Sequence, residues 1–322
     1  MKENAAWFRQ GERTSALGIR ILLALERAGG GTLFRWAALP VLLGYWLADP
    51  SLRRASLGWL EAVDRETGFL KGRRPGAAEG LTQLAHFAES MLDKIKALEG
   101  RPGLPRLLIE GEDVFRGDGP KTGAVVLTAH TGCWELLAAE GLRRTEHPIV
   151  ILQHTANSRR FNAILEARRR TRPEAFANLS SLEVSGRPEE AAALALRVSD
   201  ALAEGAYVVI AGDRIPIASA RSAVRLPFMG REAPFPTGGA LLALLARAPL
   251  RTMISARIDR PGEPRTYRVR FRSIDEAPSA GRRERRAWLE SAMRRYGAAL
   301  EADLRDSPYD WFNFYDFWNP GC

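Results

Sequence analysis

The sequence predicts an α/β fold, a mostly parallel central sheet flanked by helices, with an N-terminal helical segment suited to associate with a membrane. Strand-like pieces at 124–129, 149–153, about 181–184 and 207–211 alternate with helical stretches near 133–144, 159–170 and 188–204. The strands at 124–129 and 207–211 are nearly unbroken apolar runs, the pattern of parallel strands buried on both faces. The third observation is the apolar run Ala37–Ala48, with Trp36, Tyr45 and Trp46 near its ends.

From the N-terminus, SALGIRILLALERA (15–28) reads as a helix that Gly29-Gly30-Gly31 ends. The 12 residues of Ala37–Ala48 fall short of the roughly 20 that cross a bilayer, and Pro40 and Gly44 interrupt them. A helix in the membrane interface fits this pattern, and so does a buried helical hairpin. The basic stretch KGRRPG (71–76) divides a membrane-associating segment, 1–75, from the main domain, 76–322.

In residues 81–99, Leu84, Phe87, Ala88, Met91, Leu92, Ile95 and Leu98 recur at helical spacing and form a core-facing stripe. The strand AVVLT (124–128) then delivers Ala129 and His130 to its carboxyl end, where open α/β sheets gather their ligands. Gly132 turns the chain into a helix carrying Glu135, which can bend back to orient the imidazole. The plainer alternative is a core histidine beside a solvated glutamate.

The run AYVVIAGDRIP ends in Asp213 and Arg214, expected on the same sheet edge as His130. Arg214 suits a phosphate or carboxylate, with Asp213 holding it or touching substrate; a turn with a surface ion pair is the other reading. Residues 223–236 resemble a hairpin, followed by a helix with Thr237 as N-cap and amides open to a ligand at Gly238 and Gly239. Two more strands follow, RTMISARI and TYRVRFRS. In the second, Arg268, Arg270 and Arg272 make a cationic face that either meets an acidic partner or is solvated. A helix over 283–304 buries Trp288, Met293, Tyr296 and Leu300, and the aromatic tail YDWFNFYDFW either docks or touches lipid.

Composition narrows the function. The 322 residues carry a formal net charge of +9, and only five of the 47 cationic residues are lysine. Such a surface suits phosphates, anionic lipid or an acidic protein. Two cysteines and four histidines offer no disulfide framework and no metal-ligand spacing. No nucleic-acid-binding motif accompanies the charge.

AHTGCWEL resembles the H-x-x-x-x-[DE] motif of the lysophospholipid acyltransferase superfamily. With the Trp134-Glu135 pair, the closing WFNFYDFW and the opening GERTSALGIRILLALERAGG, it is most similar to the bacterial lipid A late acyltransferases. AGDRI and PFPTGG resemble the superfamily's acceptor-binding blocks, although Thr237 stands where glutamate is usual, which speaks against a glycerol-3-phosphate acceptor. The resemblance implies acyl transfer from an acyl-carrier-protein or coenzyme A thioester to a hydroxyl of a membrane glycolipid, without a cofactor or metal. His130 would be general base and Glu135 its orienting acid. Asp213, Arg214, Arg159, Arg160, Trp134, Thr237 and Gly238 would contact substrate, and amides around Gly132 would receive the oxyanion. The place implied is the cytoplasmic face of the bacterial inner membrane, on its anionic lipid. Two alternatives are a thioester hydrolase using Cys133 as nucleophile and an inactive, basic membrane-binding homologue.

Overall fold

The computed structural model describes residues 16–137, 145–154, 170, 178–184, 188–215, 223–259, 263–276, 280–281 and 283–319. Helix α1 (Ala16–Ala48) breaks at Gly30, whose φ of 67° and ψ of −165° no helix accommodates, within the expected glycine stop. Asp49 caps α2 (Pro50–Thr67), accepting bonds from the Ser51 and Leu52 amides. Helix α3 (Ala77–Glu99) follows. No helix among the described residues is long and apolar enough to cross a membrane.

The strands are β1 (Arg106–Glu110), β2 (Ala124–Thr128), β3 (Ile149–His154), β4 (Leu179–Val184), β5 (Tyr207–Ala211), β6 (Val224–Phe228), β7 (Arg231–Phe235), β8 (Leu250–Arg257) and β9 (Thr266–Asp275). Three further helices are α4 (Pro188–Ala203), α5 (Gly238–Ala246) and α6 (Arg285–Asp306). Among the described residues the main sheet has seven strands in the order β1-β9-β8-β2-β5-β3-β4. All neighbours are parallel except β8 and β9, and β6 pairs with β7 as a separate hairpin. The mostly parallel α/β architecture is thus the observed one. Sequence reading missed β1, a short strand of partly exposed residues at the sheet edge. Of the expected helices at 133–144 and 159–170, residues 138–144 and 159–169 lie outside the described residues.

Period-two alternation divides the strand side chains between two cores. Val125, Leu127 and Ala129 face the larger one, with Trp59 of α2, Tyr296 and Leu300 of α6, and the tail residues Trp311, Phe317 and Trp318. Ala124, Val126, Val209 and Met253 face the other. The tail therefore docks. Trp59 lies 4.4 Å from the Trp311 ring, edge-on, and its indole donates to the Pro308 carbonyl at 2.7 Å.

Two expectations change here. The arginine face of β9 is spent inside the protein: Arg268, Arg270 and Arg272 all reach the buried Asp303 of α6. Asp303, with Asp306 beside Arg268 and Glu110 beside Arg270, offsets those charges, so this face is not an open cationic patch. On α3, Met91 is exposed, while Gln83, Glu89, Ser90 and Asp93 are buried. The buried face of α3 is partly polar because it meets the turn that follows β2 and arginines from β8 and its neighbourhood, including Arg257 and Arg265.

Candidate active site

The site is laid down by strand register. Neighbouring parallel strands β2 and β5 pair Thr128 with Ala211, and the Gly212 amide donates to the Thr128 carbonyl at 2.8 Å, extending the ladder. Two residues past each strand lie His130 and Asp213. Beyond His130 the chain turns at Gly132, with φ of +49°. A Cβ there would fall 2.6 Å from Ser255 Oγ and 2.8 Å from the Ser255 carbonyl, so β8 lies too close for any side chain.

His130 Nδ1 sits 2.8 Å from Asp213 Oδ1, and the His130 amide donates to Asp213 Oδ2 at 3.0 Å. Asp213 is fully buried. Its Oδ2 also accepts from the Trp311 indole at 2.9 Å and from Asn313 Nδ2 at 3.2 Å. Burial alone would raise this carboxyl, but the His130 and Arg214 charges and the bonds from His130 hold it at about 2. An ionised Asp213 fixes the proton on Nδ1 and leaves the Nε2 lone pair for a substrate.

The His130 side chain is 35% exposed, enough for a ligand to reach it. Its pKa is nonetheless lowered, by desolvation first and then by Arg214, against the opposing pull of Asp213. Arg214 donates from Nε to Asn313 Oδ1 and from Nη2 to the Phe312 carbonyl, both at 3.0 Å. The tail thus braces both Asp213 and Arg214.

Glu135 does not take the place expected of it. The residues after His130 form a tight turn, and Glu135 pairs with Lys94 of α3, Nζ to Oε1 2.6 Å. The carboxylate on His130 is Asp213. The sequence carried a signal for this: AVVLTAH and YVVIAGD are matching seven-residue strings that end in His130 and Asp213. Laid side by side as adjacent parallel strands, they put one residue against the other. The bracing tail, Lys94 and Ser90 had no such signal.

The remaining candidates are scattered in role. Thr237 is buried but makes no side-chain cap; its carbonyl accepts the Leu241 amide at 2.8 Å instead. Gly238 is exposed, with open space where a Cβ would stand. At Gly239 a Cβ would fall 2.5 Å from Leu127 Cδ2 and 2.9 Å from Ile210 Cγ2, so this glycine serves close packing of α5 on β2 and β5. Trp134 lines a cavity of about 620 Å³ on the second face of the sheet, with Val126, Val209, Met253 and Leu137. Arg159 and Arg160 lie outside the described residues.

Two chemical expectations are overturned. The amides of Gly132 and of the residue after it are already occupied: Gly132 donates to the Asp310 carbonyl at 3.2 Å and Cys133 to Ser255 Oγ at 3.0 Å. These two are not free to receive an oxyanion. Cys133 itself is fully buried, and burial, Glu135 and Asp93 push its thiol well up. It has neither the access nor the thiolate character of a nucleophile.

No curated protein matches the chain. Residues 80–319, well over half of it, match the family model described as bacterial lipid A biosynthesis acyltransferase. That span holds His130, Asp213 and the tail that braces them, and the chain belongs to the bacterial lipid A biosynthesis acyltransferase family, a family of acyltransferases.

Proposed function

We propose that the protein moves a fatty acyl group from an acyl-carrier-protein or coenzyme A thioester to a hydroxyl of a lipid A-like or other glycolipid, with His130 as general base. The observation that carries this is the 2.8 Å contact of His130 Nδ1 with Asp213, which leaves Nε2 free of that carboxylate on a side chain 35% exposed. An alcohol is a weak nucleophile until a base takes its proton, and a positioned base contributes roughly 10²- to 10⁴-fold. The thioester is already activated, so no acyl-enzyme is needed. His130 accepts the alcohol proton as oxygen attacks the carbonyl, then returns it to the departing thiolate.

The cavity beside Trp134 is our candidate for the acyl chain, since its floor is the apolar second face of the sheet. The second half of α1 supports work at a lipid surface. It exposes Trp36 (70%), Leu47 (67%), Leu33, Leu39, Val41 and Leu43 together. A patch of that kind needs a partner. On this reading the protein lies peripherally on the cytoplasmic face of the inner membrane, where its net charge favours anionic lipid. Arg214, Thr237, Gly238, Arg159 and Arg160 remain candidates for the acceptor's anionic groups.

Mass spectrometry of membrane lipids from cells with the protein, without it, and with His130→Ala tests the proposal. A glycolipid heavier by one acyl group in the wild type alone is the expected result, and its mass names the chain transferred. Identical lipids in all three would overturn the reading.

A further inference from the structure

We propose that Lys94 is a catalytic cation of this site. Its ammonium, held by Glu135, receives the acyl carbonyl oxygen as that oxygen becomes negative. The inference rests on the reading of His130 as the base of acyl transfer.

The position of Lys94 follows from one face of α3. Gln83, His86, Ser90 and Lys94 recur at helical spacing, and each meets a successive point of the site. Gln83 Nε2 donates to the Trp311 carbonyl at 2.7 Å, and His86 Nδ1 lies 2.9 Å from Asp310 Oδ1. Ser90 donates to the Gly132 carbonyl, and Lys94 reaches Glu135. Lys94 therefore stands one turn beyond a residue bonded to the turn that follows His130.

A tetrahedral intermediate needs donors where its charge develops. Three of the backbone amides around His130 are already engaged. The His130 amide is bound to Asp213, the Gly132 amide to Asp310 and the Cys133 amide to Ser255. Arg214 commits Nε and Nη2 to the tail. The Lys94 ammonium carries three protons, of which Glu135 takes one among the described residues. Its side chain is 32% exposed, so a ligand can reach it.

Electrostatics agree with this placement. Lys94 adds to Arg214 in opposing the imidazolium of His130, against Asp213, so its charge is felt at the base. Burial works against the ammonium, but Glu135 outweighs it and raises its pKa. Glu135 is then a positioning residue. It keeps Lys94 charged and fixes a four-carbon stem that otherwise loses considerable rotamer freedom on ordering.

The step balances. The alcohol oxygen bonds to the thioester carbon while its proton passes to His130 Nε2. The carbonyl π pair moves onto oxygen, where Lys94 meets it. That pair then re-forms the carbonyl, the C–S bond breaks, and the leaving sulfur takes the proton from His130.

The test uses the full chain, a palmitoyl thioester of carrier protein or coenzyme A, and isolated inner membranes as the source of glycolipid acceptor. Lys94→Met should lower kcat by about 10²- to 10³-fold and leave KM for both substrates within about threefold. The acid limb of its pH profile should move to higher pH, because His130 loses a repelling cation. Lys94→Arg should recover part of the loss, and Glu135→Gln should lose less than Lys94→Met. An unchanged kcat in Lys94→Met overturns the proposal. So does a loss confined to KM, or a loss with an unmoved pH limb and a lowered Tm, which would mark Lys94 as structural only. A wild type whose product does not depend on His130 overturns the acyl-transfer reading and this inference with it. A His130-dependent wild type beside an undiminished Lys94→Met overturns this inference alone.

Discussion

Trp311 donates its indole N–H to Asp213 Oδ2 at 2.9 Å, across 98 residues of sequence. The bond joins the C-terminal tail to the carboxylate that holds His130, and Asn313 adds a second donor from the tail to the same oxygen, which also accepts the His130 amide. A fully buried carboxylate survives as an anion only with such partners. The tail is therefore part of the site's construction, and the effects of altering it should be read at His130.

Asp213→Asn keeps the shape of that side chain and removes its charge. The amide can present its nitrogen to Nδ1, which favours the wrong tautomer and leaves Nε2 without a free lone pair. We expect kcat to fall by about 10²- to 10⁴-fold, measured as acylated glycolipid formed per enzyme. Activity within twofold of the wild type would exclude Asp213 as the orienting group.

The pH dependence has a definite sign. His130 has its pKa lowered from 6.5, so it is already a neutral base at that pH. The kcat/KM profile should be flat through neutrality and fall on a single acid limb with a midpoint below 6.5. Asp213→Asn should move this limb lower still, since Asp213 is the group that favours the imidazolium. Stability follows the same groups. Asp213 is held at about 2 against an ordinary 3.8, so its contribution is complete above 3.8 and is lost as pH falls toward 2. His130 costs stability as pH falls from 6.5 toward its lowered value, because the unfolded chain takes that proton first. An acid limb above 6.5 would contradict the burial and Arg214 field around the imidazole.

The sheet was legible in the sequence because its central strands are continuous apolar runs, and AVVLT and YVVIA stand in the structure where their composition put them. β1 was not, since RLLIE is short, charged at both ends and lies at the sheet edge. His130 and Asp213 were both singled out, but their pairing depends on which strands are neighbours. That information is in the strand order. Glu135 drew attention by its spacing from His130, yet its partner comes from α3, 41 positions upstream in the chain, through a contact no local pattern encodes. The arginines of β9 misled for the same reason, as their acid lies on α6.

Trp311→Phe removes one donor from Asp213 while keeping most of the ring packing against Trp59 and Phe317. A hydrogen bond to a charged group contributes about 1.5–3 kcal/mol, so urea unfolding should show a loss of about 2 kcal/mol. kcat should drop by about tenfold, part of the base's contribution, with a smaller change in KM. A purely structural tail would show the stability loss with unaltered kcat per folded molecule.

Asp303 offers a test away from the site. Its carboxylate accepts Arg270 Nη1 and Arg272 Nη1 at 2.7 Å each, with Arg268 Nη2 at 3.4 Å, and it is buried. Removing one partner of a buried ion cluster costs 3–5 kcal/mol by leaving charge uncompensated. Here Arg268 keeps Asp306 and Arg270 keeps Glu110, and the arginine side chains are partly open to water. Asp303→Asn should therefore lose about 3 kcal/mol, near the low end of that range. Arg272→Ala should lose less, since it removes one cation from three that share an acid. Acyl transfer per folded molecule should hold in both variants, because this cluster joins β9 to α6 and has no atom at His130. A loss in Arg272→Ala equal to that in Asp303→Asn would mean that the guanidinium's packing, and not the shared carboxylate, holds this edge of the sheet to its helix.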